Sequence, residues 1–258
     1  MSKPALDFIK HVAQRLGIAI SRYPPIGSFQ RDLRDYLTQM EIDLVLDVGA
    51  YIGTYARELR EIGYQGQIIS FEPVAASYEQ LHEAMHKDPL WTGEPFGLSD
   101  ENREAFINTH SRRDFNSLLT VRENAGRSYS VDPAGWSRTP IQLRRLDAVL
   151  PQLMEGIRSP RIFMKIDTQG HDISVIKGAS GVLDRIVGLQ SELPAVEIYD
   201  GMFSMSTMLS YYASCNFVPT GFYPVNTVNT ADGLQISPEF DVLFKRFDGR
   251  LAEPARVS

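Results

Sequence analysis

The sequence predicts an α/β fold built on one mostly parallel sheet with helices on both faces. Between Asp43 and about Tyr199, short apolar segments alternate with amphipathic helical segments, which is the pattern of parallel βαβ units. The last two apolar runs, NFVPTGFY and FDVLFKRF, have no helix between them. We therefore expect an antiparallel pair at the end of the sheet.

Apolar runs assign seven strands in chain order. LVLDV is the first, IISFE (68–72) the second, PFGLS (95–99) the third, RIFMKID (161–167) the fourth and IVGLQSEL (186–193) the fifth, followed by the two late runs. Residues 1–42 predict an N-terminal helical cap of two helices, the second from about Phe29 to Met40. Residues 43–258 are expected to form the main domain.

Composition narrows the choice of partners. The chain has 258 residues, of which 26 are basic and 32 acidic, giving a net charge of −6. This balance does not suit non-specific binding of nucleic acid, and it favours a small-molecule partner. A single cysteine, Cys215, favours a reducing, cytoplasmic setting, and no apolar stretch is long enough to span a bilayer. The number of subunits stays open, with a homodimer as one candidate.

A glycine-containing turn follows the first strand. In DVGAYIG, Gly49 lets the backbone approach a ligand, Gly53 lets a helix begin beneath it, and Asp47 can accept hydrogen bonds from a cationic amino group. A dinucleotide site would instead need GxGxxG. The acid favours the ammonium and sulfonium charges of S-adenosylmethionine, although the same turn also occurs without a ligand. The candidate cofactor residues here are Asp47, Gly49, Ala50, Tyr51, Gly53 and Thr54.

Two further segments are candidates for the same cofactor. Glu72 ends the second strand, where a carboxylate can bind two ribose hydroxyls, and Pro73 stops the strand so that the carboxylate stays at the rim. Ser99 and Asp100 follow the third strand and are candidates for holding the adenine, although LSD is also an ordinary turn.

The remaining acids at strand ends are candidates for catalysis. Asp167 closes the fourth strand and is expected near the cofactor and the reacting groups, where it is a candidate base. His171 follows it and is either a second base or a helix-start residue. Glu192 ends the fifth strand beside Asp167. The pair could orient a substrate hydroxyl or hold Mg²⁺, although two carboxylates are few ligands for a metal.

Residues 110–146 interrupt the alternation of strands and helices. They contain seven arginines and three acids, with aromatic residues interleaved. This composition fits a substrate lid that meets a carboxylate, phosphate or sugar, and it fits a solvated, salt-bridged insertion equally well.

The motifs DVGAYIGTY, SFEP, GLSD, LRRLDAVL, FMKIDTQGHDISVIKGA, LQSELPAVEIYDG and FDVLFKR together resemble the FkbM family of methyltransferases, from about Leu44 to Arg246. The resemblance implies a Rossmann-like class I methyltransferase fold, whose sheet ends in an antiparallel strand, and an S-adenosylmethionine-dependent O-methyltransferase. It places Asp47, Gly49 and Gly53 in the cofactor loop, Glu72 at the ribose and Asp167 at the reaction centre. Many relatives have glutamate where this chain has Gln169.

These observations predict methyl transfer to a hydroxyl of a small molecule, such as a natural product, sugar or glycolipid. Two alternatives remain at this point. One is a nucleotide-dependent oxidoreductase on a Rossmann-like fold, which the absence of GxGxxG disfavours. The other is a cofactor-binding module that has lost catalysis.

Overall fold

The computed structural model describes residues 12–13, 15–16, 24–25, 27–110, 116–123, 135–157, 160–230 and 232–249. The first of the two expected N-terminal helices lies almost wholly outside this part of the chain. The second is present as α1 (Phe29–Gln39), and the side chain of its N-cap residue Ser28 accepts a hydrogen bond from the Arg31 amide.

The described residues form twelve strands and five further α-helices. The strands are β1 (Leu44–Val48), β2 (Gln67–Phe71), β3 (Trp91–Glu94), β4 (Gly97–Leu98), β5 (Arg103–His110), β6 (Trp136–Arg144), β7 (Ile162–Ile166), β8 (Ile186–Pro194), β9 (Phe217–Pro224), β10 (Val228–Asn229), β11 (Gln235–Ile236) and β12 (Glu239–Arg246). The helices are α2 (Thr54–Glu61), α3 (Ala75–Met85), α4 (Leu146–Leu153), α5 (Asp172–Gly178) and α6 (Met205–Ser214).

Seven of the strands form the central sheet, in the order β3-β2-β1-β7-β8-β12-β9. The five strands from β3 to β8 are parallel to one another, and β12 is antiparallel to both β8 and β9. The prediction of a mostly parallel seven-stranded sheet with an antiparallel C-terminal strand is therefore confirmed. The strand order reverses between β1 and β7, which is where open α/β sheets bind ligands.

The third strand of this sheet is not the predicted one. Trp91–Glu94 pairs with β2, whereas Gly97–Leu98 of the expected PFGLS strand pairs with β6 in a separate three-stranded sheet, β4-β6-β5. The sheet-edge segment WTGE buries only Trp91 fully, so it carries little apolar signal. Phe96 and Leu98 of PFGLS instead pack in the core cluster on one face of the central sheet.

Helices cover both faces of the central sheet, as predicted. One core cluster includes Leu33 of α1, Leu59 of α2 and Leu81 of α3, packed on one face. The opposite cluster includes Leu150 of α4 and Ile176 of α5. No helix in the described ranges is long and apolar enough to cross a membrane.

The predicted insertion contributes to the small sheet. Its final part is strand β6, which pairs antiparallel with β5 over eight residue pairs. Residues 116–123 run beside this sheet, with Ser117 bridged to Asn108 and Val121 bridged to Tyr199. The remaining residues of the insertion between these two segments lie outside the described part.

Candidate active site

A cavity of about 550 Å³ lies at the carboxyl ends of the parallel strands. Four of its lining residues follow or end neighbouring strands: Gly49 after β1, Glu72 after β2, Asp167 after β7 and Glu192 near the end of β8. Parallel pairing brings these strand ends to one edge of the sheet, so residues far apart in sequence surround one space.

The turn after β1 is closely packed. Gly49 and Gly53 have φ angles of 80° and 81°, in the left-handed region that favours glycine. A Cβ atom on Gly49 would lie 2.0 Å from the carbonyl oxygen of Asp167, and one on Gly53 would lie 2.5 Å from the Trp91 ring. The glycines thus make room for neighbouring protein groups. Of the turn residues, Gly49 and Tyr51 line the cavity, whereas Ala50 and Thr54 do not.

Asp47 lies behind the cavity wall and is inaccessible to solvent. Its carboxylate accepts a hydrogen bond of 3.1 Å from the Ser70 hydroxyl and lies 3.5 Å from the Lys165 ammonium group. Burial raises the pKa of Asp47, and the Lys165 charge opposes that shift. The side chain is therefore engaged inside the sheet and does not face the space where a ligand would sit.

Lys165 is a site residue that the sequence analysis did not single out. Its ammonium group lies 3.2 Å from Oδ2 of Asp167 and donates a 3.2 Å hydrogen bond to the carbonyl of Gly49. Burial alone would lower its pKa, but the charges of Asp167 and Asp47 outweigh that effect and raise it. The sequence did contain an indication that Lys165 has a charged partner: the lysine lies inside the apolar strand FMKI, and a buried lysine requires a partner.

These groups form a polar row across the sheet. In the parallel register, Asp47 pairs with Ser70 on one side and Lys165 on the other, and Lys165 pairs with Gln190. Gln190 continues the row, because its amide accepts from the Tyr55 hydroxyl and donates to Asp241.

Glu72 lines the cavity with its carboxylate held in place. One oxygen accepts a 2.9 Å hydrogen bond from the Tyr51 amide, and the other accepts one of 2.9 Å from the Val74 amide. Burial raises the pKa of Glu72 to about 7, against the effect of these hydrogen bonds. Pro73 also lines the cavity. The carboxylate keeps lone pairs available for donors in the cavity.

Ser99 and Asp100 do not line the cavity, but Ser99 contacts His171, which does. The Ser99 hydroxyl donates to Asp100 at 3.0 Å and lies 2.9 Å from Nε2 of His171, which lines the cavity. Burial lowers the pKa of His171, and the charge of Asp100 opposes that shift. A Cβ on Gly178 would lie 1.9 Å from the Ser99 carbonyl oxygen, which shows how closely this loop packs on α5.

Asp167 and Glu192 face the cavity side by side and share one partner. The Gln169 amide nitrogen lies 3.0 Å from Oδ1 of Asp167 and 3.1 Å from Oε2 of Glu192. Burial and the negative charges of Asp167 and Glu239 raise the pKa of Glu192 well above its usual range. In the ranges that the structure describes, no three acid, histidine or cysteine side chains are arranged to hold a metal ion, so Mg²⁺ gains no support.

The far wall of the cavity comes largely from the small sheet and the insertion. The small sheet supplies the apolar side chains of Ile107, Ile141 and Leu143, and the insertion supplies Asn116 and Leu118. The segment from Val225 to Val228 and the half-buried Glu239 complete it. The composition of residues 110–146 allowed a substrate lid as one of two interpretations, but nothing local indicated the other far-wall residues, which long-range folding brings to the strand ends.

The fold and the cavity define a Rossmann-like α/β domain with its ligand site at the carboxyl edge of a parallel sheet. The family model described as the Methyltransferase FkbM domain matches residues 47–219. The chain belongs to the FkbM family of methyltransferases, as the sequence motifs predicted. Membership favours methyl transfer over the oxidoreductase alternative. Comparison with curated proteins gives no match.

Several solved structures are similar to this chain. One is the methyltransferase FkbM from Methylobacillus flagellatus KT, with 13% identity and a TM-score of 0.46; the match covers 79% of this chain and 44% of that one. Precorrin-6y C5,15-methyltransferase from Geobacter metallireducens GS-15 has 10% identity and a TM-score of 0.43, covering 89% and 94%. Aeropyrum pernix fibrillarin, in complex with natively bound S-adenosyl-L-methionine, has 9% identity and a TM-score of 0.41, covering 78% and 66%. The chain thus spans less than half of the Methylobacillus protein.

Proposed function

We propose that this protein is an S-adenosylmethionine-dependent O-methyltransferase that acts on a hydroxyl of a small molecule, such as a natural product, sugar or glycolipid. One observation carries the proposal: the anchored carboxylate of Glu72 and the pair Asp167 and Glu192 line the same cavity. The first suits the ribose of the cosubstrate, and the second suits a hydroxyl that must lose its proton.

The cavity residues fit the cosubstrate. Glu72 has a fixed carboxylate for the ribose hydroxyls, with Tyr51 and Pro73 beside it. Asp167 lies at the end of β7, on the other side of β1 from Glu72, where a carboxylate favours a cationic donor. We assign Asp47, Ala50, Gly53 and Thr54 to shaping the turn. Ser99 and Asp100 act by orienting His171.

Proton removal is assigned to the acidic pair. When bound, S-adenosylmethionine supplies a methyl group activated by the adjacent sulfonium. A hydroxyl becomes a competent nucleophile as a carboxylate within hydrogen-bond reach accepts its proton. Each carboxylate oxygen of Asp167 already has a partner. Oδ2 pairs with the Lys165 ammonium group, and Oδ1 accepts a hydrogen bond from the Gln169 amide. We assign acceptance of the proton to Glu192, which lines the cavity beside Asp167, and alignment of the hydroxyl to Asp167. We also assign His171, which lines the same wall, as a candidate second base.

The acceptor is assigned to the far wall of the cavity. We propose that the basic segment 110–146 contributes to its recognition, because Asn116, Leu118 and Ile141 of this segment already line the cavity. The division into a cap (1–42) and a methyltransferase domain (43–258), the cytoplasmic location and a homodimeric assembly belong to the same proposal.

The test separates binding from turnover. Calorimetric titration with S-adenosylmethionine is expected to show binding to the wild type, and replacing Asp167 with asparagine is expected to leave that binding within about threefold while turnover of hydroxylated acceptors is lost. Asp200→Asn is the matched control, since that carboxyl group is 69% exposed. Wild-type turnover by Asp167→Asn contradicts the catalytic assignment, and tight binding of NAD(H) in place of S-adenosylmethionine contradicts the function.

A further inference from the structure

Gln169 occupies the position between the two carboxylates assigned to catalysis. Its amide nitrogen lies 3.0 Å from Asp167 and 3.1 Å from Glu192. A carboxamide nitrogen has two hydrogens, so it can donate one to each carboxylate. The side chain therefore joins the ends of β7 and β8 through their acidic residues.

Tyr199 sets the orientation of this amide. Oε1 of Gln169 accepts a 2.8 Å hydrogen bond from the hydroxyl of Tyr199, whose side chain is fully buried. Exchanging the amide oxygen and nitrogen would turn the carbonyl oxygen toward two carboxylates and the NH₂ group toward the hydroxyl. The hydrogen-bond network thus identifies the nitrogen as the atom that faces the acids.

The backbone around Gln169 is held in an unusual conformation. Its φ angle is 51°, a left-handed value that a side chain disfavours. The Ser117 hydroxyl donates a 2.7 Å hydrogen bond to the Gln169 carbonyl oxygen. Strained backbone of this kind persists only where surrounding contacts fix it, and it is common at functional sites.

The charges around the pair explain why a bridge is needed. Lys165 pairs with Asp167, but the charged groups acting on Glu192 are acids: Asp167, Glu239, Asp241 and Asp172. Neighbouring carboxylates repel each other and favour protonation unless donors hold the charged forms. The Gln169 amide provides such donors without adding charge.

We propose that Gln169 is a positioning residue, whose carboxamide bridges Asp167 and Glu192 and fixes both carboxylates toward the cavity. The inference rests on the proposed function, because the pair is there assigned to proton removal. The bridge keeps Glu192 available as a proton acceptor and sets its distance from Asp167.

The experiment measures the titration of Glu192 directly. Protein labelled with ¹³C at the glutamate side-chain carboxyl is followed by NMR between about pH 5 and 9, and the Glu192 signal is assigned by its loss in Glu192→Gln. Gln169→Leu keeps a similar volume but removes both donors, so the midpoint is expected to rise by about one pH unit. The pH profile of methyl transfer is expected to shift to higher pH with it, and kcat to fall about tenfold.

Gln142→Leu is the matched control. Gln142 also donates an amide hydrogen bond of 3.0 Å to a carboxylate, that of Glu104, but on the exposed side of the small sheet. Its loss is expected to leave the Glu192 midpoint unchanged. Tyr199→Phe provides a second variant if Gln169→Leu does not fold, and it is expected to shift the midpoint in the same direction by less.

The possible results separate a failure of the proposed Gln169 bridge from a failure of the proposed function. An unchanged Glu192 midpoint in a folded Gln169→Leu protein, or in Tyr199→Phe when only that variant folds, overturns the bridge even if methyl transfer is observed. A raised midpoint in a protein that methylates no acceptor supports the bridge and counts against the proposed function.

Discussion

Replacing Lys165 tests the electrostatics of the site most directly. Its ammonium group lies 3.5 Å from Asp47 and 3.2 Å from Asp167. Asp47 is inaccessible to solvent, whereas the Asp167 side chain is 38% exposed. Ion pairs with exposed partners contribute little to stability, so the cost of losing the lysine falls mainly on Asp47.

The expected size of the effect follows from the two ways of accommodating Asp47. An unpaired buried carboxylate destabilises a protein by about 3–5 kcal/mol. The destabilisation cannot exceed the cost of protonating Asp47 instead. At pH 7, about three pH units above an ordinary aspartate pKa, that protonation costs about 4 kcal/mol. We therefore expect Lys165→Met to lower the free energy of unfolding by about 3–4 kcal/mol at pH 7.

The pH dependence has a defined sign. Without the lysine, the pKa of Asp47 in the folded protein lies further above its value in the unfolded chain than it does in the wild type. A raised pKa gives stability that is complete below the unfolded value and is lost as pH rises. The deficit of Lys165→Met relative to wild type is thus expected to shrink by up to about 1.4 kcal/mol per unit as the pH falls from about 7 toward 4.

Urea unfolding followed by fluorescence and circular dichroism measures these differences. Lys245→Met, at an exposed position of strand β12, is the control and is expected to change stability by less than about 0.5 kcal/mol. Adding Asp47→Asn to Lys165→Met is expected to recover all but about 1–2 kcal/mol. A Lys165→Met protein that loses less than about 1 kcal/mol, or whose deficit is independent of pH, refutes the reasoning.

Two further predictions follow from contacts in the site. Affinity for S-adenosylmethionine is expected to fall by up to about tenfold per pH unit below about pH 7, because protonation of Glu72, whose pKa burial raises to about 7, removes the ribose acceptors. Calorimetry checks this, and Glu72→Gln is expected to bind weakly at every pH; a flat wild-type profile contradicts the assignment. Gly178→Ala is expected to destabilise the fold by about 1–3 kcal/mol in urea unfolding, because its Cβ would lie 1.9 Å from the Ser99 carbonyl oxygen. An unchanged midpoint contradicts that contact.

Much of the fold was predictable from local patterns. LVLDV and RIFMKID are apolar because strands buried on both faces need apolar residues throughout, and the structure places both in the centre of the sheet. The third strand was misplaced because Trp91–Glu94 lies at the sheet edge and needs little apolar surface. An edge strand therefore gives a weaker signal than a buried segment outside the sheet.

The side of the cavity formed by strand ends was predictable residue by residue, whereas the composition of residues 110–146 fitted a substrate lid and a solvated insertion equally well. Glu72, Asp167, His171 and Glu192 were identified because each follows or ends a strand, and the structure brings all four to one cavity. The sequence could not show that Asp47 points away from that space. Strand alternation directs its side chain into the layer beneath α2, and its partner Lys165 becomes apparent only from the sheet register.

The polar row across the sheet constrains how this protein can change. Asp47 and Lys165 are distant in sequence but direct register partners, and neither can be replaced alone without leaving the other charge buried. A substitution at either position therefore passes through a weakened protein before a second change restores it. In directed evolution, the two positions therefore need to be varied together. Libraries that vary only one of them are expected to recover only the original pair.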